Sequence, residues 1–89
     1  MCGIAGLVGR TPEPGVLGAM SVALAHRGPD DVGELVQPDA SFVFRRLSII
    51  DVAHGHQPLT SETGRCSIVL NGEVYNHSEL RPALAARGH

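Results

Sequence analysis

Short hydrophobic runs and polar segments alternate along the first third of the chain at spacings typical of strands and helices. Residues 2–8 form an apolar run with β-branched members, which predicts a buried strand. Residues 9–15 contain two prolines and two glycines and are predicted to be a loop. Residues 16–26 carry apolar side chains at three- and four-residue steps, which predicts an amphipathic helix. Gly28-Pro29 then supplies a helix stop.

The middle of the chain has the apolar alternation of strands. Residues 33–36 and 41–50 are predicted to be strands, separated by a Gln-Pro-Asp turn. Residues 51–65 are polar and contain glycine and proline, so we expect an irregular connection. Residues 66–70 form a further apolar run and are predicted to be a strand.

The last quarter of the chain combines turn and helix signals. Asn71-Gly72 has the composition of a tight turn, and residues 73–75 are predicted to continue in an extended form beyond it. Asn76 and Glu79 have the spacing of a capping box, which predicts a helix over residues 76–87. Pro82 fits that helix only if it lies near the first turn.

Composition narrows the class of protein. The chain has 89 residues and a formal net charge of −2, which is too acidic for the basic face of a nucleic-acid-binding domain. No apolar run reaches the roughly 18 residues of a membrane span, and no basic segment precedes the N-terminal apolar run as in a signal peptide. We therefore expect a cytoplasmic protein without nucleic-acid or membrane partners. In a reducing compartment a disulfide between Cys2 and Cys66 is disfavoured. The sequence stops one residue after the helix-terminating Gly88, so we interpret it as part of a larger domain.

Cys2 is the first candidate for chemistry. If Met1 is removed, Cys2 carries a thiol and a free α-amine on one residue. The amine has an unperturbed pKa of about 7.7–8.0, near the operating pH, so it suits the role of general base toward its own thiol. A cysteine at this position is also often only a small buried hydrophobe, and position alone does not decide between the two interpretations.

Two arginine-containing segments are further candidates. Residues 26–31 place Arg27 beside a turn and two aspartates, which is either a helix end with a polar turn or a loop that brings a cation to the Cys2 thiolate. Arg45 and Arg46 interrupt an apolar strand, so one should point inward and the other outward. An inward arginine must be paired with a carboxylate of the chain, Asp51 or Glu73, or must bind an anionic ligand such as a carboxylate.

Asn71 and Gly72 can serve as more than a turn. The Asn71 carboxamide and the Gly72 amide are two donors of the kind that stabilise a tetrahedral oxyanion during attack on an acyl carbon. His54 and His56 are the best available metal ligands, but the chain lacks paired ligand spacings typical of zinc sites, so surface histidines in a loop explain them better.

Five segments occur in order along the chain: Met-Cys-Gly-Ile-Ala-Gly at 1–6, His-Arg-Gly-Pro-Asp at 26–30, Arg-Leu-Ser-Ile-Ile-Asp at 46–51, Gln-Pro-Leu at 57–59 and Asn-Gly-Glu-Val-Tyr-Asn-His at 71–77. Together they closely resemble the N-terminal glutaminase domain of glutamine-hydrolysing asparagine synthetases, which are class II glutamine amidotransferases of the N-terminal nucleophile superfamily. The resemblance covers essentially all 89 residues, a partial glutamine amidotransferase type-2 domain over residues 1–89.

This resemblance implies an α+β fold, the four-layer αββα sandwich of N-terminal nucleophile enzymes, of which the chain would hold only the first half. Cys2 would be the nucleophile that forms a γ-glutamyl thioester from L-glutamine and releases ammonia. Asn71 and Gly72 would form the oxyanion hole, with Arg27 in support. The substrate-binding residues would be Arg46, which holds the α-carboxylate, Glu73, which helps to bind the α-amino group, and Leu47, Ser48, Ile49, Ile50, Asn71 and Gly72.

The partner implied by the resemblance is an ATP-dependent synthetase domain that uses the ammonia in asparagine biosynthesis to amidate aspartate. ATP and Mg²⁺ are expected in that domain, and no cofactor or metal is assigned to this segment. A homodimer is compatible with the resemblance. Three alternatives stay open: an amidotransferase with another acceptor, a non-catalytic remnant that binds glutamine or a partner, and a small metal-binding domain that uses His54 and His56.

Overall fold

A computed structural model describes residues 2–48 and 54–89 of the chain. Five strands and two helices lie in these two ranges. In chain order they are β1 (Gly3–Val8), α1 (Val16–Ala23), β2 (Asp31–Val36), β3 (Ala40–Arg46), β4 (Leu59–Thr60), β5 (Ser67–Ile68) and α2 (His77–Ala85). The described residues therefore form an α+β structure with antiparallel sheets, as expected.

The main sheet has three antiparallel strands in the order β1-β3-β2, so β3 is central. Its register places Ile4 and Gly33 on either side of Phe44. The Cβ direction of Gly3 meets the side chain of Leu24, so the end of α1 lies against the face of the sheet that Gly3 shares with Val43. Phe44 points to the opposite face because successive strand residues alternate.

Both faces of the central strand are covered. Val43 and Phe44 are 0% and 1% exposed, and Leu17 of α1 is also buried. The backbone of Gln57 and Pro58 covers the Phe44 face, since a Cβ on Gly33 would lie 1.6 Å from the Gln57 carbonyl oxygen. The small core is therefore built on β3, with α1 on one side and the loop before β4 on the other.

The prediction of a buried strand over residues 2–8 is only partly right. The strand begins at Gly3, and Ile4 and Val8 are 40% and 80% exposed. In the described structure β1 is an edge strand that pairs with β3. Its side chains alternate between the face of the sheet that α1 covers and the opposite face, where they are exposed.

The first helix is shorter than predicted. It ends at Ala23 rather than at residue 26, and residues 24–27 form turns, with the Leu24 N–H bonded to the carbonyls of Met20 and Ser21. The cause lies at Gly28, where a Cβ would lie 2.4 Å from the Arg45 carbonyl. The chain has to leave the helix early to bring Gly28 flat against β3.

The strands of the sheet begin and end where their pairing does. β2 begins at Asp31, two residues before the predicted start, because Asp31 pairs with Arg46. β3 ends at Arg46 and not at residue 50, because β1 and β2 provide no partner beyond that point. Ile49 and Ile50 lie outside the described residues.

The second sheet is a two-residue ladder. The predicted strand over 66–70 is reduced to Ser67–Ile68, which pairs with Leu59–Thr60 inside the segment predicted to be irregular. Leu70 does not join a strand partner there, because its backbone is bonded to the Gln57 side chain. That contact is described with the site below.

The C-terminal segment lies entirely on the surface of the described structure. Asn71-Gly72 is a bend that leads toward α2 instead of closing a hairpin, and residues 73–75 form no strand in the described structure. Asn76 is the N-cap of α2 and Glu79 lies in its first turn, as predicted, but the Asn76 side chain makes no capping bond in the described structure, and its carbonyl accepts from Glu79 and Leu80. Pro82 lies well past the first turn of α2, which the exposed surface position of the helix accommodates.

The end of α2 confirms the role of Gly88. The helix ends at Ala85, two residues before the predicted end. Gly88 has a φ of 94°, and the N–H groups of His89 and Gly88 bond to the carbonyls of Leu84 and Ala85 at 3.1 and 3.0 Å. This is the Schellman arrangement, which favours glycine at the left-handed position.

Candidate active site

A cavity of about 340 Å³ opens at the end of the three-stranded sheet where β1 begins and β3 ends. Sizes of roughly 300–1,000 Å³ are usual for small-molecule sites. Six predicted site residues line it: Cys2, Arg46, Leu47, Asn71, Gly72 and Glu73. The fold thus gathers into one cavity residues that come from both ends and the middle of the chain.

The two arginines of β3 follow the predicted alternation. Arg46 is 6% exposed and lines the cavity, whereas Arg45 turns to the other face and donates from Nε to the Gly28 carbonyl oxygen at 2.9 Å. Glu73, on the exposed side of the cavity, gives it a carboxylate as well. The described lining of the cavity thus holds one guanidinium and one carboxylate, which matches the two charged groups of a free α-amino acid.

Cys2 is held through its backbone by residues distant in the sequence. Its carbonyl oxygen accepts from Arg27 Nε at 3.0 Å and from Asn71 Nδ2 at 3.3 Å. Its Sγ lies 4.0 Å from the Leu47 carbonyl oxygen, a weak donor contact. Cys2 itself is half-buried, so the thiol sits at the cavity wall and not in the core.

The loop over residues 26–31 does pack beside Cys2. The bond that Arg27 makes goes to the Cys2 carbonyl, which fixes the backbone of that residue. Stabilisation of a thiolate by Arg27 stays a prediction. The adjoining Asp30 joins the same loop to the end of β3, since its N–H bonds to the Arg46 carbonyl at 3.0 Å and its Oδ2 accepts from the Ser48 N–H at 2.8 Å.

Asn71 and Gly72 lie beside the nucleophile candidate, as an oxyanion hole requires. Both are exposed and both line the cavity. The Asn71 carboxamide already faces the Cys2 residue, 69 positions away in the chain. Ser48 does not line the described part of the cavity and is tied to Asp30 instead, while Ile49 and Ile50 lie outside the described residues.

Four cavity residues were not singled out as site residues from the sequence: Phe44, Gly55, Gln57 and Leu70. Phe44 could have been found from strand alternation, since it shares a face with Arg46. Gln57 belongs to the Gln-Pro-Leu segment that contributes to the family resemblance, but the resemblance did not assign a role to it. Its side chain bonds to the backbone of Leu70.

The histidines predicted as alternative metal ligands lie elsewhere. His56 Nδ1 is 2.6 Å from Asp31 Oδ2, and this hydrogen bond lowers the pKa of the Asp31 carboxyl below its usual value of 3.8. Within residues 2–48 and 54–89, His, Cys, Asp and Glu side chains form no group of three or more that could hold a metal ion. The described structure therefore gives the metal-binding alternative no support.

The chain resembles known proteins over its whole length. The family model for a glutamine amidotransferase domain matches residues 1–89. The chain belongs to this family. Among curated relatives, it is 41% identical over 95 residues to glutamine-hydrolysing asparagine synthetase 1 of Bacillus subtilis (strain 168), a match that covers 100% of the chain and 15% of the relative.

Two more relatives are also glutamine-hydrolysing asparagine synthetases. The second glutamine-hydrolysing asparagine synthetase of Bacillus subtilis is 40% identical over 90 residues, which covers 94% of this amidotransferase chain and 12% of the relative. The enzyme of Triphysaria versicolor is 40% identical over 88 residues, covering 94% and 15%. The chain thus spans about an eighth to a sixth of the length of these relatives. No solved structure gives a significant match.

In the described part of this amidotransferase chain, no helix is both long and apolar enough to cross a bilayer.

Proposed function

We propose that this chain is the glutaminase part of a glutamine-dependent asparagine synthetase and hydrolyses L-glutamine through Cys2. One observation carries the proposal: a thiol, a buried guanidinium, a carboxylate and an Asn-Gly donor pair line a single cavity. Membership of the glutamine amidotransferase family and the similarity to glutamine-hydrolysing asparagine synthetases support this assignment of substrate.

The charges of the cavity orient the substrate. Arg46 binds the α-carboxylate of glutamine, since a guanidinium makes two parallel hydrogen bonds to a carboxylate. Glu73 binds the α-ammonium group. Together they leave the side-chain carboxamide as the part that reaches Cys2, and Leu47, Ser48, Ile49 and Ile50 are proposed to complete the substrate-binding wall.

Cys2 supplies the nucleophile after Met1 is removed. Its thiol proton passes to its own α-amine, and the thiolate sulfur attacks the carboxamide carbon. The resulting oxyanion accepts hydrogen bonds from the Asn71 Nδ2 and the Gly72 N–H, while Arg27 keeps the Cys2 backbone in place. When the carbon–nitrogen bond breaks, the α-ammonium returns the proton to the leaving group, so ammonia departs and a γ-glutamyl thioester remains. Water then attacks the thioester and releases glutamate and the free thiol.

The ammonia is proposed to serve an ATP-dependent synthetase domain that amidates aspartate, with ATP and Mg²⁺ bound in that domain. The larger fold is proposed to be the four-layer αββα sandwich. Ile4 and Val8 support it, because they are exposed and belong to the sheet face that carries Phe44, where a further layer would cover them.

A matched pair of cysteine variants tests the proposal in the natural protein at its full length. Cys2→Ala should abolish release of glutamate from glutamine, whereas Cys66→Ala, which removes the exposed second thiol, should leave it unchanged. A diazo-ketone analogue of glutamine should label the peptide that begins with Cys2 and lacks Met1. Labelling at Cys66, or an active protein that retains Met1, would refute the mechanism.

The same assay separates the alternatives. Glutamine binding without glutamate release in the unmodified protein would favour a non-catalytic remnant. Glutamate release without asparagine formation from aspartate, ATP and Mg²⁺ would favour an amidotransferase with another acceptor.

A further inference from the structure

The side chain of Gln57 makes a two-way contact with the backbone of Leu70. Its Oε1 accepts from the Leu70 N–H at 2.7 Å, and its Nε2 donates to the Leu70 carbonyl oxygen at 3.2 Å. A primary amide can copy the donor and acceptor of a neighbouring strand in this way. Gln57 therefore takes the place of a strand partner for one residue.

Leu70 is the residue directly before the proposed oxyanion donors. The ladder of β5 ends at Ile68, so in the described structure the segment over residues 69–72 continues without strand pairing. Its described attachments are the Gln57 contact at Leu70 and the bond from Asn71 Nδ2 to the Cys2 carbonyl. The Gln57 contact is the one of the two that leaves the Asn71 side chain available to a substrate.

The position of Gln57 is itself fixed by a contact with β2. Its backbone carbonyl rests on Gly33 of β2, at a place where even a methyl group would not fit. The pairing of Gly33 with Phe44 connects this point to the centre of the main sheet. A continuous path of contacts thus runs from β3 through Gly33 and Gln57 to the backbone that carries Asn71 and Gly72.

We propose that Gln57 is a positioning residue that sets the location of the Asn71–Gly72 oxyanion donors relative to Cys2. This inference rests on the glutaminase function proposed above. It assigns to Gln57 an effect mainly on the transition state, because Arg46, the proposed partner of the α-carboxylate, belongs to β3 and not to the segment that Gln57 holds.

The expected effect is on kcat. Loss of one oxyanion donor lowers kcat by about 100- to 1,000-fold, and a misplacement of about 1 Å costs about 100-fold. Gln57→Met keeps the length of the side chain and removes both hydrogen bonds, so kcat for glutamine hydrolysis should fall by about 10- to 100-fold. The KM for glutamine should stay within about threefold, since an interaction made only in the transition state does not contribute to substrate binding.

The other glutamine of the chain, Gln37, offers a matched control. Gln37 also precedes a proline but is exposed in the turn between β2 and β3. Gln37→Met should therefore leave both kinetic constants unchanged.

Gln57→Glu provides a conservative variant with its own signature. A protonated glutamate presents one O–H donor and one carbonyl acceptor and can restore both bonds to Leu70, whereas an ionised one offers no donor. The unperturbed pKa of glutamate is about 4.3, so the activity of Gln57→Glu relative to the unsubstituted protein should rise as the pH falls from 8 to 5. A residue that only supports folding would not produce this change in ratio.

These measurements decide the inference in the natural protein at its full length. A lowered kcat with unchanged KM in Gln57→Met and a rising ratio in Gln57→Glu support it. Unchanged kcat in Gln57→Met, or a raised KM with unchanged kcat, overturns it. If Gln57→Met fails to fold, the Gln57→Glu ratio decides, and a flat ratio overturns the inference. Activity retained by Cys2→Ala would instead refute the proposed function, whereas an inactive Cys2→Ala with a normal Gln57→Met refutes the positioning role alone.

Discussion

Replacement of Gly33 by alanine is expected to damage both the stability and the activity of the protein. An added Cβ would lie 1.6 Å from the Gln57 carbonyl oxygen, 2.7 Å from its carbon and 3.0 Å from Pro58 Cδ. An ordinary contact begins at 3.4 Å, so the backbone at Gln57 would have to withdraw by roughly 2 Å. Backbone carbonyls cannot avoid such an overlap by rotation, as the end of a flexible side chain can.

The magnitude is a balance of two opposed effects. Overpacking of this kind typically costs about 1–3 kcal/mol. Alanine regains about 0.5–1 kcal/mol of that by restricting the unfolded chain. A net loss of about 1–2 kcal/mol remains, which shifts a urea midpoint downward by about 1–2 M when the slope is near the low end of the usual 1–3 kcal/mol/M.

Gly18 is a matched control for this experiment. It lies in α1, and a Cβ added there would meet no atom within 4 Å, leaving its own helix aside. Gly18→Ala should therefore raise the free energy of unfolding by about 0.5–1 kcal/mol, since alanine favours the helix interior. Urea unfolding followed by circular dichroism should show a lowered free energy of unfolding in Gly33→Ala and a raised one in Gly18→Ala. Glutamine hydrolysis should fall in Gly33→Ala and stay unchanged in Gly18→Ala.

One result would refute this reasoning about Gly33. If Gly33→Ala unfolds at the same urea concentration as the unsubstituted protein and hydrolyses glutamine normally, the Gln57-Pro58 backbone does not rest on β2. The path of contacts from the main sheet to Asn71 would then be wrong.

Two further predictions concern single polar contacts. Ser41 is fully buried, and its Oγ donates to the Gln37 carbonyl and accepts from the Gln37 N–H. Ser41→Ala should therefore lower the free energy of unfolding by about 1–3 kcal/mol, while Ser78→Ala in exposed α2 should change it little. Equal melting temperatures of the two variants would contradict this prediction. His56→Ala should raise the pKa of Asp31 toward its usual value, because alanine removes the His56 hydrogen bond, which is the main cause of the lowered pKa. In the folded protein the lowered pKa of Asp31 contributes stability at any pH above about 3.9, the pKa of an aspartate in the unfolded chain. This contribution is lost as the pH falls through the pKa of Asp31 in the folded protein, so the variant and the unsubstituted protein should become equally stable in acid. An unmoved Asp31 titration in a carboxyl-resolved NMR experiment would rule out this origin.

Much of the local structure follows from the pattern of residues alone. Alternation placed Arg45 and Arg46 on opposite faces of β3, because the side-chain period of a strand is two wherever it pairs. Gly88 ended the last helix, because the left-handed conformation after a helix favours glycine in any context. The five motif segments also indicated the amidotransferase family, which the match over residues 1–89 shows.

Element lengths were less accessible from the sequence. The ends of β3 and β5 depend on where their partners stop, and the apolar runs at 41–50 and 66–70 continue past those points. Asn71-Gly72 has the composition of a hairpin turn, yet it forms a bend because no partner strand follows it in the described structure. Pairing is a property of two segments, so the pattern of one segment cannot determine it.

The sequence by itself determined the family, the kinds of local structure and the chemical groups available for the proposed reaction on glutamine. Only the tertiary structure decided that Cys2 and Asn71 meet, that Arg46 faces the same cavity, and that the amide of Gln57 holds the backbone directly before Asn71. The physical reason is the distance along the sequence over which each kind of interaction acts. Periodicity and turn chemistry act over a few neighbouring residues, whereas these contacts join positions 13 and 69 residues apart through the register of the sheet and the packing of loops on it.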